Sequence, residues 1–101
     1  MRVILNVTMP HDVFNAAVRD GTAGKKLKKI LDELKPEAAY FTDHGGKRGA
    51  VVVLDLKDAS KIPAVAEPWF LLFNADVEIK VAMTPKDLAK AGLAKIGKKW
   101  A

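Results

Sequence analysis

Alternation opens the chain. Arg2-Val3-Ile4-Leu5-Asn6-Val7-Thr8 is rich in β-branched and apolar residues and predicts a strand. Met9-Pro10 stops it, because proline donates no ladder hydrogen bond. The period then changes from two to between three and four. Phe14, Ala17, Gly21, Gly24, Leu27, Leu31 and Leu34 keep one helical face in phase as far as Lys35-Pro36. The unbroken phase favours one long helix with a weak joint at Gly21, and Thr22 as the cap of a second helix is the alternative.

Residues 37 to 43 predict a second strand and 48 to 56 a third, with Ala50-Val51-Val52-Val53-Leu54 as the most buried stretch. Between them His44-Gly45-Gly46-Lys47 reads as a tight turn, since paired glycines supply positive φ angles. With that turn Asp43 and Arg48 stand opposite one another, and an ion pair across the hairpin is expected. Asp58 or Ser60 caps the next helix, with Pro63 in its first turn. Pro68 predicts a break near Glu67, followed by a short apolar segment from Trp69 to Phe73. Asp76 to Met83 alternates again and predicts a fourth strand. Thr84-Pro85-Lys86-Asp87 is a strong helix start, and the last helix is expected to run to about Lys98 with Leu88, Ala91 and Ile96 inward.

The order β-α-β-β-α-β plus a helix is the split βαβ, or ferredoxin-like, α+β arrangement. Right-handed crossovers give an antiparallel sheet in the order 4-1-3-2 with both main helices on one face. The other face has no helix of its own, yet Ile4 points to it from a central strand. The final helix could cover part of it, but a second subunit covers it better, and a homodimer joined through these open sheet faces is expected.

Length and composition fit one domain over residues 1 to 101, half of it hydrophobic. There is no cysteine, so disulfides and thiolate chemistry are excluded, and any metal site would rest on His11, His44 and carboxylates without a spaced motif. No metal and no cofactor is expected. No apolar run approaches the length of a membrane span. The first residues lack the features of a secretion signal, so a cytoplasmic protein with no membrane partner is expected. The net charge of +5 raises nucleic acid as a partner. The lysines, however, cluster on predicted amphipathic helices, and the third-strand positions that would stack bases in an RNA recognition motif hold Ala50, Val52 and Leu54. RNA binding is rejected on that ground.

Tyr40-Phe41, Gly45-Gly46-Lys47-Arg48, Asp55, Asp58, Ile62-Pro63, Ala66-Glu67-Pro68-Trp69-Phe70 and Met83-Thr84-Pro85-Lys86-Asp87-Leu88 carry a further signal. Through them and its topology the chain resembles the dimeric α+β barrel superfamily, and within it an uncharacterised bacterial family of small single-domain proteins. The resemblance implies a sheet-to-sheet homodimer that binds a small organic molecule. It brings isomerase or cofactor-free oxygenase chemistry within range. A non-catalytic ligand-sensing or protein-interaction dimer is the alternative, and the residues do not separate the two.

The polar candidates for such a site are Asn6, Tyr40, His44, Arg48, Glu67, Trp69, Glu78 and Lys80. His44 is the candidate general base, imidazole being suited to proton transfer near neutrality, and its plain reading is a polar turn residue. Glu67 beside an indole is a second candidate base, and its plain reading is a helix break. Arg48 has the planar fork that clamps a carboxylate. Asn6 and Tyr40 are polar groups on strands that need partners if buried. Trp69 is expected to wall an apolar cavity, with Asn6, Tyr40, His44 and Arg48 around it. A small anionic or phenolic ligand follows from the arginine.

Overall fold

The computed structural model describes all 101 residues. Strands β1 (Arg2–Thr8), β2 (Ala38–His44), β3 (Lys47–Asp55) and β4 (Asp76–Ala82) form one antiparallel sheet in the order β2-β3-β1-β4. Helices α1 (His11–Asp20), α2 (Ala23–Leu34) and α3 (Ile62–Phe73) belong to the two crossovers. Helices α4 (Pro85–Lys90) and α5 (Leu93–Trp100) follow the last strand. This is the expected ferredoxin-like order and topology.

The core lies between the sheet and α1 to α3. Val3, Leu5 and Val7 of β1 meet Ala50, Val52 and Leu54 of β3 on one face, and Phe14, Ala17, Ile30, Val65, Trp69 and Phe73 close over them. The strand period of two sends Ile4, Asn6, Thr8, Val51 and Val53 to the opposite face. No helix covers that face, and its apolar residues stay half-buried.

Four expectations are corrected. The helix after β1 is two helices, because Gly21 takes a left-handed φ of 81° and returns its N–H to the end of α1. Thr22 stands at the start of α2, but its hydroxyl and N–H both donate to Asp20 Oδ1, at 2.6 and 2.9 Å. The predicted inner face does not carry across the joint: Gly21 and Gly24 are exposed with open space beside them, and α2 meets the core through Ile30, Leu27 and Leu34. Helix α3 does not break at Pro68; it runs through it. Pro68 offers no N–H to the carbonyl of Ala64, but Ala64 is exposed and water can serve that group. Val65, Ala66, Trp69 and Phe73 bury one face on both sides of the proline, and this packing outweighs the lost bond. Trp69 alone removes roughly 150–250 Å² from water, worth about 4–6 kcal/mol at most before chain entropy is subtracted.

The third correction concerns the chain end. The expected single inward helix is two short helices separated by Gly92 at a φ of 72°. No residue of either is buried, so Leu88, Ala91 and Ile96 do not face this chain's core. The Thr84 capping box does form as its sequence suggests, with Thr84 Oγ1 accepting from the Asp87 N–H at 3.1 Å and Asp87 Oδ2 accepting from the Thr84 N–H at 3.0 Å. The fourth correction is the Asp43–Arg48 pair. Gly45 and Gly46 make the turn with φ of 59° and 82°, and Asp43 does stand opposite Arg48. The two side chains nevertheless part: Asp43 accepts from the Gly46 N–H at 3.4 Å, and Arg48 turns under the sheet to α1.

No helix is long and apolar enough to cross a membrane. No three His, Asp or Glu side chains gather where a metal ion could be held.

Candidate functional site

An open cleft of about 400 Å³ lies on the helix side, at the end of the sheet where β1 gives way to α1. Met9, Phe14, Leu27, Phe41, Thr42, Arg48 and Gly49 line it. Each arrives for a local reason. Met9 is the residue that leaves β1, and its N–H donates to the Arg48 carbonyl at 2.9 Å, which holds the strand exit to the hairpin. Phe14 comes from the first turns of α1 and stacks on Phe73 with ring centroids 5.2 Å apart. Phe41 is opposite Ala50 on the edge strand β2, where no further strand or helix covers it, and it remains 54% exposed.

Arg48 is the charged group of the cleft. Its guanidinium carbon sits 4.7 Å from the centre of the Phe14 ring, and one terminal nitrogen donates to Asn15 Oδ1 at 2.8 Å. The stacking is a cation–π contact, and the amide bond fixes the plane of the fork. No carboxylate pairs with it. The contrast with Arg2 is direct: Arg2 forms a two-point bond with Glu37, at 3.0 and 2.6 Å, and that carboxylate raises its pKa. Arg48 keeps donors free at the mouth of an apolar cavity. Such a site can hold and orient a small anion, with apolar walls contributing affinity and one charged group contributing direction. Its lining contains no aspartate, glutamate or histidine.

The sequence-based candidates divide between two faces. Arg48 points to the helix side. His44, Asn6 and Tyr40 share the open sheet face, as do Glu78 and Lys80, which pair with each other at 3.2 Å. His44 lies across Gly49, with Nδ1 3.3 Å from Thr8 Oγ1. Asn6 stands between Val51 and Glu78, half-buried, and Tyr40 is 65% exposed on the edge strand. The sheet therefore separates His44 from Arg48. Two residues per strand period is the reason: 44 and 48 have opposite parity once the two-residue turn sets the register.

Trp69 does not wall the cavity. It is 0% exposed, packed under the sheet as part of the i, i+4 series Val65, Trp69, Phe73, and its indole N–H has no partner. The expected cavity of Trp69 with Asn6, Tyr40, His44 and Arg48 does not form. Glu67 is exposed on the outer side of α3, away from the cleft. The aromatic of the cleft is Phe14, with Phe41 at its rim. Neither was singled out from sequence as a site residue, though Phe14 heads the inward stripe of the first helix and Phe41 neighbours Tyr40 on an edge strand.

Fold and cleft together define a ferredoxin-like α+β protein with an arginine-topped apolar cavity at one end of the sheet. Among solved structures the chain is similar to 5-chloro-2-hydroxyhydroquinone dehydrochlorinase (TftG) from Burkholderia phenoliruptrix AC1100, in complex with 2,5-dihydroxybenzoquinone. The TM-score is 0.60 at 14% identity, covering 85% of this chain and 97% of that one. At this identity the likeness establishes the shared fold. No protein-family model and no curated protein matches the chain. The short motifs that suggest a bacterial family thus stand without a family model behind them.

Proposed function

We propose that this protein is a cytoplasmic, bacterial homodimer of one-domain subunits that binds a small anionic or phenolic organic molecule in the Arg48 cleft. The observation that carries the reading is an arginine with no carboxylate partner, its guanidinium carbon 4.7 Å from the centre of the Phe14 ring at the mouth of a cavity of about 400 Å³. That volume is within the usual range for small-molecule sites, roughly 300–1,000 Å³. The ligand in the similar solved structure, 2,5-dihydroxybenzoquinone, is of the same chemical class. The dimer follows from the uncovered sheet face with Ile4, Val51 and Val53 half-buried on it.

Calorimetric titration with benzoate, salicylate and 2,5-dihydroxybenzoquinone tests the ligand. Binding is expected, and Arg48→Met is expected to weaken it about 10-fold to 150-fold, the worth of a charged hydrogen bond of roughly 1.5–3 kcal/mol. Equal binding by the variant would remove the reading. Sedimentation as a monomer at micromolar concentration would remove the dimer.

A second reading rests on a separate observation. His44 is fixed between Thr8 and Gly49 on the face that a sheet-to-sheet dimer encloses. Isomerase or cofactor-free oxygenase chemistry would use that histidine as its base, because the Arg48 cleft has none. The cleft by itself fits a ligand-sensing role.

A further inference from the structure

Helices α4 and α5 stand away from the body of the molecule. The chain extends 60 × 27 × 19 Å with a radius of gyration of 17.0 Å, against about 13 Å for a packed chain of this length. The arm is nonetheless ordered at its root by the Thr84–Asp87 capping box. Helices of six and eight residues do not persist alone, since isolated helices shorter than roughly 12–15 residues are marginal in water. They need a surface to lie on. In α5 Leu93, Ile96 and Trp100 follow at intervals of three and four and form one apolar stripe. Leu88 in α4 and Val81 and Met83 at the root are exposed as well, and Trp100 is 77% exposed. Nothing in the same chain covers them.

We propose that this arm is exchanged between two copies of the chain, each arm packing its Leu93–Ile96–Trp100 stripe against the other copy. The inference rests on the homodimer reading and deepens it. The occupant is a second copy because one chain carries both unmet surfaces: an apolar arm, and an open sheet face with Ile4, Val51 and Val53 and no helix of its own. Two-fold symmetry satisfies both twice with no third component. The exposed parts of the five apolar residues from Met83 to Trp100 amount to roughly 600 Å² per chain, so two arms supply about 1,200 Å², the lower end of the standard range for a stable interface.

Trp100 is the natural reporter, and the difference between the fluorescence of the wild type and Trp100→Phe isolates it from buried Trp69. Where sedimentation shows the dimer, the Trp100 contribution is expected to be blue-shifted and protected from acrylamide, and to turn red on dilution to monomer. The full-length variant Leu93→Asp/Ile96→Asp is expected to raise the dimer dissociation constant about a hundredfold or more. An exposed Trp100 in a dimer that the variant leaves unchanged would overturn the arm exchange and leave the sheet-to-sheet dimer standing. A full-length chain that is monomeric at every concentration would remove both. A blue shift seen only with vesicles of phosphatidylcholine and phosphatidylglycerol, and independent of protein concentration, would assign the arm to a membrane surface and overturn the proposal.

Discussion

Gly49→Ala perturbs the point where both faces of the sheet meet. Gly49 lies inside β3, opposite Thr8 and Thr42, and its backbone is not in the left-handed region. A glycine in such a position is ordinarily replaced by alanine with a gain of about 0.4–1 kcal/mol, because the unfolded chain loses freedom. Here the added Cβ would meet His44 Cδ2 at 2.6 Å, His44 Cγ at 2.8 Å and the Val7 carbonyl oxygen at 2.8 Å. The imidazole can swing away on its own side-chain torsions. The Val7 oxygen cannot move without shifting the central strand. Overpacking of this kind costs about 1–3 kcal/mol, and at roughly 4–8 °C per kcal/mol for a domain of this size the melting temperature is expected to fall by about 5–20 °C. Thermal unfolding followed by circular dichroism, at one fixed protein concentration, reads this directly. In a His44→Ala background the ring contacts vanish and the Val7 contact remains. The cost of Gly49→Ala should then drop by roughly 1 kcal/mol without disappearing. An alanine variant as stable as the wild type would refute the claim that His44 is seated on Gly49.

Trp69→Phe is expected to cost far less than Trp69→Ala: both remove the unpartnered indole N–H, whose burial costs about 1–3 kcal/mol, but phenylalanine refills most of the volume whereas alanine leaves a cavity that costs roughly 3–5 kcal/mol. Urea unfolding of the two variants checks this, and equal losses would contradict it. Asp20, Asp58 and Asp87 are each held below the ordinary value of 3.8, by bonds from the Thr22 hydroxyl and N–H, from the Ser60 hydroxyl and N–H, and from the Thr84 N–H and hydroxyl. A carboxylate with a lowered folded-state pKa stabilises the fold above 3.8 and loses that contribution as the pH falls through its folded value. Urea midpoints should therefore decline below about pH 4, and the triple asparagine variant should show a shallower decline.

Local signals in this chain report local structure faithfully. The Gly45-Gly46 turn, the opposition of 43 and 48, the Asp58 and Thr84 caps and the inward parity of Val3, Leu5 and Val7 all follow from neighbours in sequence. The departures arise where distant packing decides. Pro68 carries a local cost that the burial of Trp69 and Phe73 outweighs. Gly21 ends a helix in a left-handed turn, and α2 then buries Ile30 and leaves Gly24 exposed, because steps of three and four track one face only along a continuous helical backbone. Arg48 leaves Asp43 for Phe14 and Asn15, partners 33 and 34 residues away that no hairpin rule can supply. The final helices read as inward because an amphipathic stripe looks the same whether its surface belongs to its own chain or to another. The site departs most through parity: Arg48 stands on the helix side and His44 on the open face, and Phe14, Phe41, Leu27 and Met9 join Arg48 in the cleft only through register and helix packing.

Binding of a small organic anion in the Arg48 cleft, as proposed, leaves a residue-by-residue signature. Amide and methyl chemical shifts recorded while salicylate is titrated into the isotopically labelled protein test it most directly. Saturable shifts are expected at Met9, Phe14, Leu27, Phe41, Thr42 and Gly49, and they should vanish in Arg48→Met while the remaining spectrum is unchanged. Shifts confined to Ile4, Asn6, His44 and Val51 on the open sheet face, or no saturable shifts at all, would contradict the account.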